Sequence, residues 1–360
     1  GPSGYTCSSA TSAGAALTVT VAPTASISYT SPFCTNNATL QNVSLSGTGS
    51  YTGGVFSALP AGLSLNTTTG AINPTLSTAG TYTVTYLIAA AGGCNAVSVS
   101  TGVTITEAPT ASISYAGPYC NNDATVHTVT LSGTAAYTGG SFTAPAGLSI
   151  NNATGSIDPS LSTAGTYTVT YTIPASAGCA SSTATTTVTV TAVPSALISY
   201  AGPFCSNDAS LKNPTLTGTG AYTGGTYTST AGLNINAVTG SIDPSLSTAG
   251  TYTVTYSFAG AGSCAAVSTT ASVTITQLPV ASFSYTGTPY CKNGPNPVVS
   301  LGGGAVAGTS SSTAGLVFAN TSTGEINIAA STAGTYTITN TVAATNGCGL
   351  VSATATLTIT

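Results

Sequence analysis

The ten residues STAGTYTVTY at 77–86 return at 162–171 and 247–256, and as STAGTYTITN at 331–340. The near-even spacing of Ser77, Ser162, Ser247 and Ser331 marks a repeat array. Within each copy Thr and an apolar residue alternate: Tyr82, Val84 and Tyr86 share one face, and Thr81, Thr83 and Thr85 the other. Period-two alternation of β-branched and aromatic residues is the pattern of a half-buried strand. The Ala79-Gly80 step ahead of it reads as a turn. This strand is expected at the centre of a small β-domain, with the rest of the repeat packed around it.

Composition limits what such a chain can do. Its 360 residues include 2 Lys+Arg, 6 Asp+Glu and 1 His, so 2% are charged, against about 25% in ordinary globular domains. Apolar residues make up 42% and fall in strand-like alternation, which argues against disorder. Nucleic acid is excluded as a partner, because phosphate binding requires clustered Lys or Arg. No polybasic patch suits an anionic membrane, and no apolar run reaches the length of a spanning helix, so direct membrane insertion is not expected.

The nine cysteines carry the compartment. Eight fall two per repeat: Cys34 and Cys94, Cys120 and Cys179, Cys205 and Cys264, Cys291 and Cys348. The expectation is one cystine within each repeat, in those pairs, closing a loop of roughly 60 residues and contributing about 4 kcal/mol in the chain-entropy treatment. Cys7 precedes Pro23 by nearly the interval that separates Cys94 from Pro109, Cys179 from Pro194 and Cys264 from Pro279. It reads as the second cysteine of a repeat whose first part is missing, paired with a cysteine outside this stretch or in another chain. Such a pattern belongs outside the cell. Zinc is the weaker reading, with no CxxC and a single His.

Residues 1–22 match the end of a repeat and read as its trailing strand segment. They are expected to belong to a longer chain rather than to complete a neighbouring subunit. Four repeats follow, at 23–107, 108–192, 193–277 and 278–360. Each opens with a strand, TASISY at 24–29 returning at 110–115, SALISY at 195–200 and VASFSY at 280–285. A Pro-aromatic-Cys corner comes next, as in Pro32-Phe33-Cys34. GLSLNTTTGAI at 62–72 reads as a tight hairpin. A Gly-Cys turn, Gly93-Cys94, leads to the last strand. About seven strands in about 85 residues with no helical period give an all-β chain, a tandem array of four Ig-like antiparallel sandwiches. Short proline-containing joints such as Thr106-Glu107-Ala108-Pro109 suggest a stiff rod.

The run from Ala-Gly-Leu-Ser through Thr-Gly-Ala-Ile to Thr-Ala-Gly-Thr-Tyr resembles the Ig-like and cadherin-like repeats of bacterial surface proteins. The whole unit is similar to the tandem Ig-like and PKD-like repeats of large secreted adhesins of Bacteroidota. The resemblance covers nearly the full chain and implies exported stalk or filament material at the bacterial cell surface. It departs from antibody-type domains in its cysteines, since Cys94 lies well past Tyr82, beyond the strand. Tyr82, Tyr167, Tyr252 and Tyr336 sit where a tyrosine-corner hydroxyl is useful.

Candidate chemistry is sparse. His127 has no acid or nucleophile partner identifiable in sequence and reads as a surface or strand residue. Asp158-Pro159 and Asp243-Pro244 align with Asn73-Pro74, so that position wants a turn residue. Asn-Asn-Asp at 121–123 and Ser-Asn-Asp at 206–208 could supply calcium oxygens. The first and fourth repeats, with Thr35-Asn36-Asn37 and Lys292-Asn293-Gly294, lack the carboxylate, so turn capping is preferred and no cofactor is expected. Sequons at Asn37, Asn42, Asn66, Asn152 and Asn320 are candidate glycosylation sites in a Thr- and Asn-rich chain. The tyrosines are read as core rather than as sugar-stacking platforms.

The function expected is structural, not enzymatic: a stiff extracellular rod assembling with copies of itself into a filament, stalk or sheath. The alternative is the stalk of an adhesin whose ligand-binding tip lies outside this chain, with surface glycans as a further class of partner. With few charged residues to guard sheet edges, association is expected to be insensitive to salt.

Overall fold

The computed structural model describes residue 14 and residues 16–360. Cys7 lies outside the described residues. By contacts the chain forms two compact units, one built from residues up to Gly117 with Asp123–Thr189, the other from Pro118–Asn122 with Val190–Thr360.

In the first repeat the strands are β1 (Thr24–Ser28), β2 (Phe33–Cys34), β3 (Ser44–Thr48), β4 (Val55–Leu59), β5 (Gly80–Ile88) and β6 (Val97–Thr106). One sheet pairs β1 with β3; the other runs β2-β6-β5-β4. The β5–β6 and β4–β5 pairs are antiparallel, and β2 lies parallel to the end of β6. Six strands form, and the seventh element is the hairpin at 62–72, held by a Leu65–Ile72 bridge. The third repeat keeps the sheet order, with Phe204–Cys205, Val267–Thr276, Gly250–Phe258 and Thr226–Ser229 in the places of β2, β6, β5 and β4. These are Ig-like sandwiches, as the alternation requires.

The strand at 77–86 becomes β5, flanked by β4 and β6. Tyr82, Val84, Tyr86 and Ile88 are buried, and Thr81 and Thr83 face outward. Ile27, Phe33, Phe56, Ile72, Val103 and Ile105 complete the core. Burying each such side chain contributes about 1.5–3 kcal/mol. Tyr86 also finishes the turn before β4: its hydroxyl accepts from Gly54 N at 2.8 Å and donates to Tyr51 O at 2.9 Å. Its ring lies 4.5 Å from that of Phe56.

The fourth repeat rebuilds this pair. Asn340 stands where Tyr86, Tyr171 and Tyr256 stand, and Ser310 where Phe56, Phe142 and Tyr227 stand. Asn340 is 3% exposed. It accepts from Gly308 N at 2.8 Å and donates to Ala281 O and Val306 O at 3.0 and 3.1 Å. Volume lost with two rings is partly restored by Phe283, which replaces the Ile at 27, 113 and 198. Every polar atom of the buried amide is thereby satisfied, which is what makes the exchange tolerable.

In the trailing segment, residues 16–23 carry no strand ladder, and Leu17, Val19 and Val21 are 91%, 83% and 74% exposed. The last strand of the first, third and fourth repeats pairs with the STAGTYTVTY-type strand of the same repeat.

Candidate functional site: the stapled joint

Each disulfide joins a repeat to the next, not a repeat to itself. The bonds are Cys34–Cys179, Cys120–Cys264 and Cys205–Cys348, with Cα separations of 4.8, 4.9 and 4.6 Å. This corrects the expected Cys34–Cys94, Cys120–Cys179, Cys205–Cys264 and Cys291–Cys348 pairs; Cys94 and Cys291 are free. The reason is the course of β6. Cys34 is in register with Thr106 at the end of that strand, and Cys94 sits in the turn before its start at Val97. Nine steps of about 3.3 Å place the two roughly 30 Å apart, far beyond the ~7 Å that a disulfide spans between Cα atoms.

The local sequence builds each half of the staple. The corner strand runs parallel to the end of the last strand, so the corner cysteine comes to the tip of its repeat: Thr35 N donates to Thr106 O at 2.9 Å. The next side chain then holds the linker. Thr35 Oγ1 accepts from Ala108 N at 2.9 Å, Asn121 Oδ1 from Val193 N at 3.0 Å, and Ser206 Oγ from Leu278 N at 3.0 Å. The other half is a two-residue turn. Ala177 and Gly178 have φ of 49° and 80°, and Ser176 and Cys179 exchange backbone bonds at 3.0 and 2.8 Å. Positive φ at both central positions suits the twist of a hairpin. A Cβ on Gly178 would lie 2.1 Å from Pro32 O, and one on Gly347 2.1 Å from Pro203 O. The turn thus rests directly on the proline corner of the preceding repeat.

Two sets of tyrosines brace the sandwiches. Tyr82, Tyr167, Tyr252 and Tyr336 donate to the carbonyls of Thr78, Thr163, Thr248 and Thr332 at 2.7, 2.8, 2.7 and 2.6 Å. A second set is not singled out by the sequence pattern. Tyr29, Tyr115 and Tyr200 donate to Gly70 O, Gly155 O and Gly240 O at 2.6, 2.6 and 2.7 Å. Their recurrence at the end of TASISY is the signal that could have found them. Burial pushes the Tyr29 and Tyr285 hydroxyls up to about 12 and raises that of Tyr200.

The carboxylates serve turns. Asp158 Oδ1 accepts from Ser160 N at 3.0 Å and Asp243 Oδ1 from Ser245 N at 3.0 Å, each opening a short 3-10 turn. Asn73 does the same toward Thr75 N at 3.2 Å. Asp123 accepts from Thr125 N at 2.9 Å and lies 2.8 Å from His127 Nε2. His127 therefore has an acidic neighbour four residues back, a pairing not identified from sequence. Asp208 and Lys212 make the equivalent ion pair at 2.6 Å. Hydrogen bonds from Thr125 and His127 lower the Asp123 pKa, and those from Lys212 and Ser210 lower that of Asp208. Among the described residues no cluster of three or more His, Cys, Asp or Glu side chains could hold a metal.

Of the sequons, Asn42, Asn66, Asn152 and Asn320 are exposed and Asn37 is half-buried. Asn66 Oδ1 accepts from Thr68 N and Thr69 N at 3.0 and 2.9 Å, so it caps its hairpin. A depression of about 430 Å³ beside Pro203 is lined by Tyr200, Ser272, Thr274 and Asn346 among others. It contains no carboxylate, imidazole or thiol. No helix of the described residues is long and apolar enough to cross a membrane. Three disulfides mark an extracellular or surface protein.

A family described as "Putative Ig domain" matches residues 107–191, one repeat of the array. None of the curated proteins is similar in sequence at a significant level. Among solved structures, the EC3–6 region of protocadherin gammaB7 is 14% identical, covering 91% of this chain and 97% of that one, with a TM-score of 0.35. Titin domains I67–I69 are 13% identical, covering 71% of this chain and 99% of that one, with a TM-score of 0.42. A SusE-like surface polysaccharide-binding protein of Bacteroides thetaiotaomicron is 12% identical, covering 93% and 72%, with a TM-score of 0.20. The Ig-like assignment rests on the sheet order and the family match, and it applies to modules placed in series.

Proposed function

We propose that the chain is load-bearing extracellular material of a bacterial cell surface, a filament, stalk or sheath built from stapled Ig-like repeats. The observation that carries this reading is the disulfide pattern. Each bond crosses a joint, so force can pass from repeat to repeat through sulfur as well as through the linker. A staple enclosing about 145 residues contributes about 5 kcal/mol in the chain-entropy treatment. No convergent set of catalytic side chains accompanies it among the described residues.

Copies associate laterally in this reading through surfaces of Thr, Ser, Asn and Gly. Strand β4 presents Val55 and Leu59 at 58% and 74% exposure, with no charge to repel a neighbour. Electron microscopy of the oxidised chain at 10 mM and 1 M NaCl tests the proposal. Screening lengths of about 30 and 3 Å separate the two conditions. Fibres of equal abundance at both are expected. Isolated chains at both, or fibres that dissolve at high salt, refute it.

A further inference from the structure

Three of the four corner cysteines are bonded and nearly inaccessible, Cys34, Cys120 and Cys205 at 1%, 3% and 3% exposure. The fourth, Cys291, is exposed and free. Its tip is built like the others: Tyr290 N donates to Thr358 O and Lys292 N to Thr360 O, at 2.8 and 2.9 Å. Each of the bonded three is joined to the turn of a following repeat that carries Cys179, Cys264 or Cys348.

A turn of that kind with no corner cysteine bonded to it among the described residues exists in the first repeat. Gly92 and Gly93 have φ of 58° and 82°, matching Asn346 and Gly347 at 49° and 83°. At Gly347 an added Cβ strikes a proline carbonyl, whereas at Gly93 it meets nothing within 4 Å among the described residues. Cys94 beside it is free and half-buried. The turn has the conformation of a seated one, with no proline corner beneath it among the described residues.

The molecule thus carries both halves of one more staple. We propose that Cys291 of one copy and Cys94 of a second copy form that bond, joining copies head to tail. The two surfaces complement each other and not themselves, so the contact is heterologous and propagates. Thr20 now sits at the turn, its Oγ1 2.9 Å from Gly92 O and 3.7 Å from Cys94 Sγ. That is the place Thr106 and Thr276 hold, with carbonyls 4.0 and 3.6 Å from the sulfurs of Cys179 and Cys348. Thr360 of the incoming copy is the equivalent residue and takes it over; residues 16–23 have no ladder to lose.

The bond forms by thiol–disulfide exchange with a small disulfide such as oxidised glutathione. One protein thiolate displaces a glutathione thiolate, and the second displaces the other. Two electrons and two protons pass to the oxidant, which leaves as two thiols. The proposal deepens the structural reading and rests on it for the partner being a second copy.

The experiment uses the full chain with Cys7→Ser in a glutathione redox buffer, resolved without reductant, with cross-linked peptides identified by mass spectrometry. A ladder of multimers linked Cys291–Cys94 is expected. Adding Cys291→Ser or Cys94→Ser leaves monomers, and an equimolar mixture of those two variants stops at the dimer. A chain that stays monomeric with two free thiols, or links only Cys291 to Cys291, overturns the proposal. Fibres of undiminished length from the Cys291→Ser variant also overturn it, while leaving lateral assembly standing. A Cys7→Ser chain that gives the ladder but no fibres counts against lateral assembly and for the joint.

Discussion

Pulling the oxidised chain by its two ends tests the staples one by one. Once the repeats unfold, tension follows the shortest covalent route. That route runs to Cys34, crosses to Cys179, continues to Cys205, crosses to Cys348 and leaves at Thr360. It comprises about 74 of the 360 residues. At about 3.3–3.6 Å per extended residue the limit is roughly 240–270 Å. Reduction releases the whole chain, to roughly 1,200–1,300 Å. Cystines confined to single repeats would instead leave about 129 residues and a limit of roughly 430–460 Å. Single substitutions sharpen the contrast. Cys34→Ser reroutes the load through Cys120–Cys264 and back to Cys205, which lengthens the limit to roughly 640–700 Å. Cys120→Ser changes nothing, because that bond is off the shortest route. Optical-tweezer extension of the wild type and these variants reads the limits directly. A wild-type limit at the value for cystines confined to single repeats, or a Cys120→Ser chain longer than the wild type, refutes the stapling pattern.

Four further outcomes follow from the geometry. Tyr167→Phe removes the bond to Thr163 O and should cost about 0.5–1.5 kcal/mol, seen as a lower urea midpoint; an unchanged midpoint contradicts the brace. Asn340→Ala leaves Gly308 N, Ala281 O and Val306 O without their side-chain partner and should cost about 3 kcal/mol, with amide exchange accelerated in the fourth repeat alone. Gly178→Val drives a side chain into Pro32 O, so two extra free thiols should titrate under oxidising refolding; a normal count contradicts the seating. The folded state holds Tyr29 and Tyr285 neutral to about 12, above their ordinary value of 10.0. Their contribution is complete below about pH 10 and lost as pH rises toward about 12. A denaturation midpoint that holds from pH 9 to 12 refutes this sign.

The alternation at 77–86 was legible because burial on one face of a strand leaves a period of two in the sequence. The tyrosine corner was legible for the same reason, its spacing from the strand start being fixed by local backbone. The cysteine partners were not. Pairing depends on which end of the sandwich each cysteine reaches, and that depends on β2 lying parallel to β6. There Phe33 meets Ile105, a contact between segments far apart in the chain that leaves no periodic trace. Two cysteines per repeat fit pairing within repeats and pairing offset by one equally well. The roles of Asn340 and Ser310 were hidden too, since only the core shows that a ring pair elsewhere fills their places.

The covalent loops 34–179, 120–264 and 205–348 overlap along the sequence. Any single peptide bond hydrolysed between Cys34 and Cys348 therefore falls inside at least one closed loop, and the severed halves stay attached. A protein exposed to proteases beyond the reach of cellular repair gains durability from this arrangement: one break leaves the strand of material whole, and parting it requires a second break in the right place.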